Sequence, residues 1–530
     1  MKNIITTEEL QSHLEQTKTK EVLLIDGQMP TTPKGKSYFY YSDNMKDFDA
    51  APFGLARIAG YLDKFNISNK IIRLRDYAQY EKKQELEELI SKTDIIGISG
   101  LSNSASEMYR FCSEIKNKFP EKIIIGGREH FGLDYEWVLN NQEKTGIDIC
   151  CTSQGELPIL SLALDIQTEK IGSIAYKSGE EIIKTDYFPR LNELADIELM
   201  KPQPAQELPI EWQANIFPEF QKQYKHCGDT MIGSGCPYSC TFCANHKFME
   251  SRKYIPSASV AQKEIKAMQK RSLDFFFARD LLLNASEENL NQFLVFMKEL
   301  NYGNQKMKWA AFASVIKRGN LCDLFQKMED AGCIEIMVGV EDIVGDRKQL
   351  KKGAGNESAA EFIDTATEHM LVRAFLILGL PEHYKYSKEE IKKNLLEFMK
   401  THPQAIYRMG LWTPILGTDD FEKYKEMLKD DIRKNVVALN KFDTMHYVIN
   451  PTAVYENLGI SEKDRWAKSP SDWEDLRDEI IKEYYESKEH KEFLNGLNKK
   501  ENLGEAANDF TEITLKRLVD EKQNNLFKLK

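Results

Sequence analysis

Residues Gly233–Phe248 read GSGCPYSCTFCANHKF, and Cys236, Cys240 and Cys243 fall in a C-x3-C-x2-C spacing. Three thiolates on one short loop can each bind a different iron of a 4Fe-4S cube. The fourth iron is then left open to a substrate or cofactor. The competing reading is a zinc knuckle, because His246 follows Cys243 by three residues and would supply a fourth ligand. Position favours the cube: structural zinc sites usually join two ligand pairs across a turn, whereas this compact triplet follows a strand-like segment that opens a βα alternation.

That alternation continues downstream. Candidate strands lie at Asp229–Gly233, Asp274–Ala278, Lys308–Phe312, Ile334–Val340, Arg373–Leu378 and Ile406–Leu411, with amphipathic stretches such as SVAQKEIKAMQKR from Ser259 between them. Six βα units predict a partial barrel of parallel strands, with its site at the strands' C-terminal ends. After Thr418 the chain turns Lys and Glu rich with helical periodicity. Trp466, Trp473, Tyr484 and Tyr485 recur there as in a helical core, and the region is expected to close the barrel mouth. Low apolar content from Lys499 predicts a partly disordered tail.

Upstream, VLLID at Val22, IIRL at Ile71, IIGIS at Ile95 and KIIIGG at Lys122 alternate with helical stretches at Gly54–Phe65, from Glu81, and at Ala105–Phe119. This is the pattern of an open parallel sheet with helices on both faces. The predicted organisation is α/β: a Rossmann-like domain over 1–166, a connection over 167–225 marked by Pro189, Pro202, Pro204 and Pro209, a partial (βα)6 barrel over 226–418 and a mainly helical region over 419–530.

The chain has 530 residues, long enough for about three domains. Lys plus Arg total 72 against 83 Asp plus Glu, a net charge of −11, which makes nucleic acid and anionic lipid poor partners. No apolar run reaches the roughly 20 residues of a membrane span, and MKNIITTEEL has no signal-peptide core, so a cytoplasmic location is expected. Nine cysteines are too few for a secreted disulfide framework. Cys112, Cys150, Cys151, Cys227, Cys322 and Cys333 are dispersed and read as small buried residues.

With Phe242 in the aromatic slot, the triplet resembles the C-x3-C-x-aromatic-C signature of the radical S-adenosylmethionine superfamily. The resemblance implies that Cys236, Cys240 and Cys243 hold a 4Fe-4S cluster. S-adenosylmethionine would chelate the open iron and be cleaved to a 5′-deoxyadenosyl radical. Arg279 and Asp280, ending FFFARD, occupy the place where relatives bind the S-adenosylmethionine amine, although the usual acidic pair is absent. MVGVED resembles the fourth strand, with Glu341 facing the nucleoside; LGLPEH, containing Gly379, resembles the fifth-strand turn, and WTPILGT the end of the sixth strand.

The first domain resembles cobalamin-binding Rossmann-like domains in GISGLSNSAS (Ser99, Leu101, Ser102), IIIGGREH (Gly126, Gly127) and DICCTSQGELPIL (Gly155, Glu156). Small residues there would let a corrin's nucleotide tail enter between sheet and helix. The D-x-H-x-x-G element that ligates cobalt is absent: Pro52–Leu55 read PFGL, and no histidine lies between His13 and His130. The resemblance therefore implies corrin without a histidine lower ligand, the dimethylbenzimidazole tucked into the domain, and His130 as a partner for corrin side chains. A degenerate domain that binds no corrin is the alternative.

His226, His246 and His383 are expected to flank the barrel mouth as proton acceptors or structural residues. Tyr238 reads as packing, and no general base is assigned. The class implies methylation of an unreactive carbon in a small-molecule or peptide substrate, with an electron donor such as flavodoxin or ferredoxin. A cyclase or rearranging enzyme would use the same motifs, as would a nonenzymatic corrin and cluster sensor. A methylthiotransferase would need a second three-cysteine motif, whose spacing Cys112, Cys150 and Cys151 lack.

Overall fold

Short apolar runs become buried strands because helices cover both their faces. In the computed structural model, which describes residues 4–15, 19–27, 51–77, 82–194, 197–213, 217, 220, 222–249, 254–302, 306–315, 320–345, 347–352, 355–428, 450–497, 506–512 and 514–516, β1 (Val22–Asp26) is buried throughout. It pairs in parallel with β2 (Asn69–Arg73) and β3 (Ile95–Ser99). β4 (Ile123–Gly127) and β5 (Ile149–Cys151) extend the parallel ladder. Alternate residues serve opposite cores: Leu24, Ile95 and Ile125 pack on one face, Leu23, Ile25 and Ile96 on the other.

The first sheet has seven strands in the order β2-β1-β3-β4-β5-β6-β7. β6 (Ile174–Ser178) and β7 (Glu181–Lys184) run antiparallel. They fall inside the stretch read as a connection without periodicity, so that reading is corrected over its first part. The missed signal is a two-residue hairpin: Ser178 pairs Glu181 around Gly179, whose φ of +62° suits glycine. The order turns back at β1 and β3, so the C-terminal ends of these strands flank the crevice where open α/β sheets bind ligands.

The second sheet is parallel, in the order β15-β14-β13-β12-β11-β8. Its strands are β8 (Gly228–Thr230), β11 (Phe275–Ala278), β12 (Lys308–Ala313), β13 (Cys333–Glu341), β14 (Leu371–Leu378) and β15 (Ile406–Leu411). The expected strand Asp229–Gly233 ends early because Asp280 takes the Ile232 N–H (2.9 Å). Gly233–Ser234 instead forms a separate ladder, β9, with β10 (Ile255–Pro256). On β12, Trp309 packs outward on Phe293 at 5.4 Å, so Phe312, of opposite parity, faces the lumen beside Phe277 and Phe375.

Beyond Thr418 the described residues are helical, as expected, but the longest helix does not cap the mouth. Pro470–Tyr485 lies along the edge strand β15: the Tyr485 hydroxyl donates to the Tyr407 carbonyl (2.9 Å) and that of Tyr484 to the Ala405 carbonyl (3.0 Å). Lys392–Glu479 (2.5 Å) and Lys400–Glu483 (3.0 Å) bind it to the helix before β15. The tail reading is also corrected in part. Ala506, Ala507 and Phe510 form one buried helical face despite the low apolar content, and Phe510 stacks on Arg373 (5.4 Å) and Arg408 (4.4 Å) beneath the lumen. The helix expected from Glu81 is described from Lys83; Glu81 lies outside the described residues, as do 498–505 and 517–530. Of the dispersed cysteines, Cys322 is exposed, contrary to expectation, and the other five are buried.

Candidate functional site

The cysteine loop leaves β9 at the C-terminal end of the barrel and is pinned from two sides. Thr241 N–H donates to the Leu350 carbonyl (3.3 Å), and the Thr241 carbonyl accepts from Asp420 N–H (3.0 Å). Lys247, just past the loop, pairs with Asp419 (2.7 Å). The three thiols sense one another's charge, Cys236 with Cys243 and Cys240 with both. Burial raises the Cys236 thiol and pushes that of Cys240 up to about 12, with Lys352 opposing in each case. Among the described residues, no three Cys, His, Asp or Glu side chains gather tightly enough for one ion. Three cysteine thiols on one short loop are the donor set a cube takes, each thiolate seated on its own iron. The donor set fits the cube.

Lys352, which no sequence pattern flags, stands beside this loop. Its ammonium pairs with Glu341 Oε1 (2.5 Å) and lies 5.9 Å from the Phe242 ring centroid. Glu341 has φ +67°, a strained conformation for a residue with a side chain, at the end of β13 where the register with β14 slips. A Cβ on Gly339 would collide with both the Glu341 carboxylate and the Lys352 ammonium. Glycine there lets the carboxylate fold back over the strand toward Lys352.

The remaining barrel residues have mostly internal partners. Asp280 is fully buried; besides Ile232 it holds Gly233 N–H and faces the Tyr254 hydroxyl (3.4 Å), and burial pushes its carboxyl up to about 7. It anchors the approach to the cysteine loop. Arg279 pairs with Asp229 (2.5 Å) and stacks over Phe277 (4.8 Å) on the lumen side. Gly379 has φ +80° and faces Trp473. Its N–H donates to His383 Nδ1 (3.2 Å), so Nε2 carries the hydrogen toward Asp342 (2.9 Å), and a neutral imidazole satisfies both bonds. His226 precedes β8 and lies at the strands' N-terminal end, away from the mouth, which corrects its expected place.

In the first domain Ser99 and Gly127 end adjacent strands, with Leu101 and Ser102 following β3. A Cβ on Gly127 would meet nothing nearer than the Ile98 carbonyl at 3.9 Å, whereas one on Gly126 would strike Phe131. The strand ends therefore leave open space above Gly127, as a corrin requires. His130 is buried, and its nitrogens engage the Ser102 (3.0 Å) and Tyr109 (2.5 Å) hydroxyls. Burial lowers the ring to about 4, so it stays neutral and positions Ser102. With both nitrogens engaged, the expected role toward corrin side chains does not fit. Burial raises the Glu156 carboxyl and Arg57 opposes the rise. Arg57 also reaches Glu264 of the barrel (3.4 Å), which accepts from Thr230 (2.6 Å) and Ala205 N–H (2.8 Å). Gly155, at the start of the Glu156–Ala163 helix, would strike Ile58 if it bore a Cβ.

One chain thus carries two α/β units, with a three-thiol loop at the strand ends of the second. In fold the chain is similar to solved radical S-adenosylmethionine enzymes that bind or depend on cobalamin. TsrM from Kitasatospora setae, a radical S-adenosylmethionine methyltransferase solved with cobalamin and a [4Fe-4S] cluster, superposes with a TM-score of 0.59 at 13% identity, covering 88% of this chain and 89% of that one. OxsB, a cobalamin-dependent S-adenosylmethionine radical enzyme, gives 0.57 at 15% identity, covering 99% and 82%. In sequence, the anaerobic magnesium-protoporphyrin IX monomethyl ester cyclases of Cereibacter sphaeroides and Rubrivivax gelatinosus are each 22% identical over 424 residues, or 76% of this chain. The match spans 63% of the first cyclase and 70% of the second. No family model matches the chain.

Proposed function

We propose that this chain is a cobalamin-dependent radical S-adenosylmethionine enzyme that methylates an unreactive carbon of a small-molecule or peptide substrate in the cytoplasm, drawing electrons from a donor such as flavodoxin or ferredoxin. The observation that carries the reading is the pairing in one chain of a pinned three-thiol loop with open, small-residue strand ends at Ser99 and Gly127. When bound, the cluster supplies the electron that cleaves S-adenosylmethionine, and the corrin carries the methyl group. Cys236, Cys240 and Cys243 would hold the cluster. Glu341 and Lys352 set the charge beside it, Asp280 fixes the backbone leading to it, and Ser102, oriented by His130, lines the corrin side. Phe277, Phe312 and Phe375 give the lumen an apolar wall that favours exclusion of water.

A second reading, cyclisation without methyl transfer, draws support from the curated cyclases. Product counting separates the two. Methylation through hydrogen abstraction uses two S-adenosylmethionine molecules per turnover, so 5′-deoxyadenosine and S-adenosylhomocysteine should form in near-equal amounts, each matching methylated product. Deoxyadenosine with an unmethylated product supports cyclisation or rearrangement. S-adenosylhomocysteine alone indicates polar methyl transfer.

A further inference from the structure

We propose that the five-residue helix Glu129–Leu133 is the spacer that sets the separation between the corrin site and the cysteine loop, with Gly132 and Phe248 as its positioning residues. The inference rests on the two-cofactor reading above. On the corrin side the helix has no slack. β4 ends at Gly127, Arg128 turns the chain at φ +79°, and the helix starts at Glu129. His130 then ties it to the end of β3 through the Ser102 hydroxyl (3.0 Å).

Its other flank meets the barrel at two points. A Cβ on Gly132 would lie 2.5 Å from Phe248 Cε2 and 2.9 Å from the Cys151 carbonyl, so the Phe248 ring rests against bare backbone. Phe248 ends the Asn245–Phe248 helix that directly follows Cys243, and its N–H is bonded to the Ala244 carbonyl (3.0 Å). The second point is Leu133, whose Cβ lies 2.8 Å from the position a Cβ on Gly417 would take. Gly417 precedes Thr418, which caps the helix whose Asp420 N–H holds the Thr241 carbonyl. Both contacts therefore lead to the cysteine loop within a few residues. Close-packed contacts transmit a change of even one methylene, and a misplacement of about 1 Å costs reacting groups roughly 100-fold in rate.

The test uses the full chain loaded with cluster and corrin, and compares wild type with Phe248→Ala and with the milder Phe248→Leu. Iron and corrin per chain are measured first, then the distance between reduced cluster and cob(II)alamin by pulsed dipolar electron paramagnetic resonance, and finally product formed per deoxyadenosine. Expected is full loading of both variants, a shifted or broadened distance distribution, and a product-to-deoxyadenosine ratio that falls up to about 100-fold in Phe248→Ala and partly recovers in Phe248→Leu. If Phe248→Ala does not fold, Phe248→Leu alone must show the shift. Unchanged distances and ratio with both cofactors bound overturn the spacer alone, and so does loss of iron with no other change, which would make Phe248 a support of the loop. A wild type that binds neither cofactor overturns the functional reading itself.

Discussion

Replacing Arg57 with Met should loosen the first domain from the barrel, because it strands a carboxylate inside the interface. The Arg57 and Glu264 side chains are 9% and 4% exposed, so neither charge is well hydrated. Breaking a buried pair typically costs about 3–5 kcal/mol. Their separation is 3.4 Å, and Glu264 keeps the Thr230 hydroxyl and Ala205 N–H, which puts the expected loss near 3 kcal/mol. That corresponds to roughly 6 °C or more in melting temperature for a large domain. Glu264 already has its carboxyl raised by burial, with Arg57 opposing, and loss of Arg57 raises it further. A carboxyl raised in the folded state contributes stability below its unfolded value, about 4.3, and loses it as pH climbs through the folded value. The penalty of Arg57→Met should therefore shrink as pH falls from 8 toward 5. The double variant Arg57→Met, Glu264→Gln should be more stable than Arg57→Met alone. Calorimetric scans at several pH values read both effects, and a pH-independent penalty with no recovery in the double variant would refute the reasoning.

Three further outcomes are expected. Anaerobically reconstituted protein should hold about four irons per chain with broad absorption near 400 nm, and changing Cys236, Cys240 and Cys243 together to Ala should remove both, whereas stoichiometric zinc in colourless protein would exclude the cluster. Cob(II)alamin should give a resonance spectrum without nitrogen splitting from an axial base, since both His130 nitrogens are engaged; Gly127→Phe, which fills the open strand end, should weaken corrin retention and leave iron content intact. Asp280→Asn should flatten the pH dependence of stability: the raised carboxyl stabilises the wild type below its unfolded value of about 3.9, and that contribution fades as pH rises through about 7, a difference that denaturant titrations at pH 5 and 8 would detect.

What was legible in the sequence was whatever is encoded locally. Ile95–Ser99 and Ile123–Gly127 announce themselves as apolar runs ending in small residues, and the cysteine triplet is a spacing. The rest depends on residues far apart. Lys352 meets Glu341 only because β13 bulges. Arg57 and Glu264 are 207 positions apart and pair only through domain packing. His130 reads as a ligand-facing residue in the sequence, whereas in the fold the Ser102 and Tyr109 hydroxyls engage both of its ring nitrogens. The Pro470–Tyr485 helix carried the right amphipathic pattern, but no pattern says whether such a face covers a barrel's mouth or its open flank.

The barrel floor has a consequence for the order of folding. Glu335, Arg373 and Arg408 point into the lower lumen, with Arg373 ion-paired to Glu335 at 2.7 Å, and Phe510 is the ring laid across the two arginines. Phe510 is synthesised only after all six barrel strands, and at 5–20 residues per second those intervening hundred or so residues take about 5–20 s. Throughout that interval the two arginines await the Phe510 ring, while Arg373 already has Phe217 at 5.6 Å. Seating of the 506–512 segment therefore follows strand synthesis and covers charged side chains at the barrel floor instead of adding a strand.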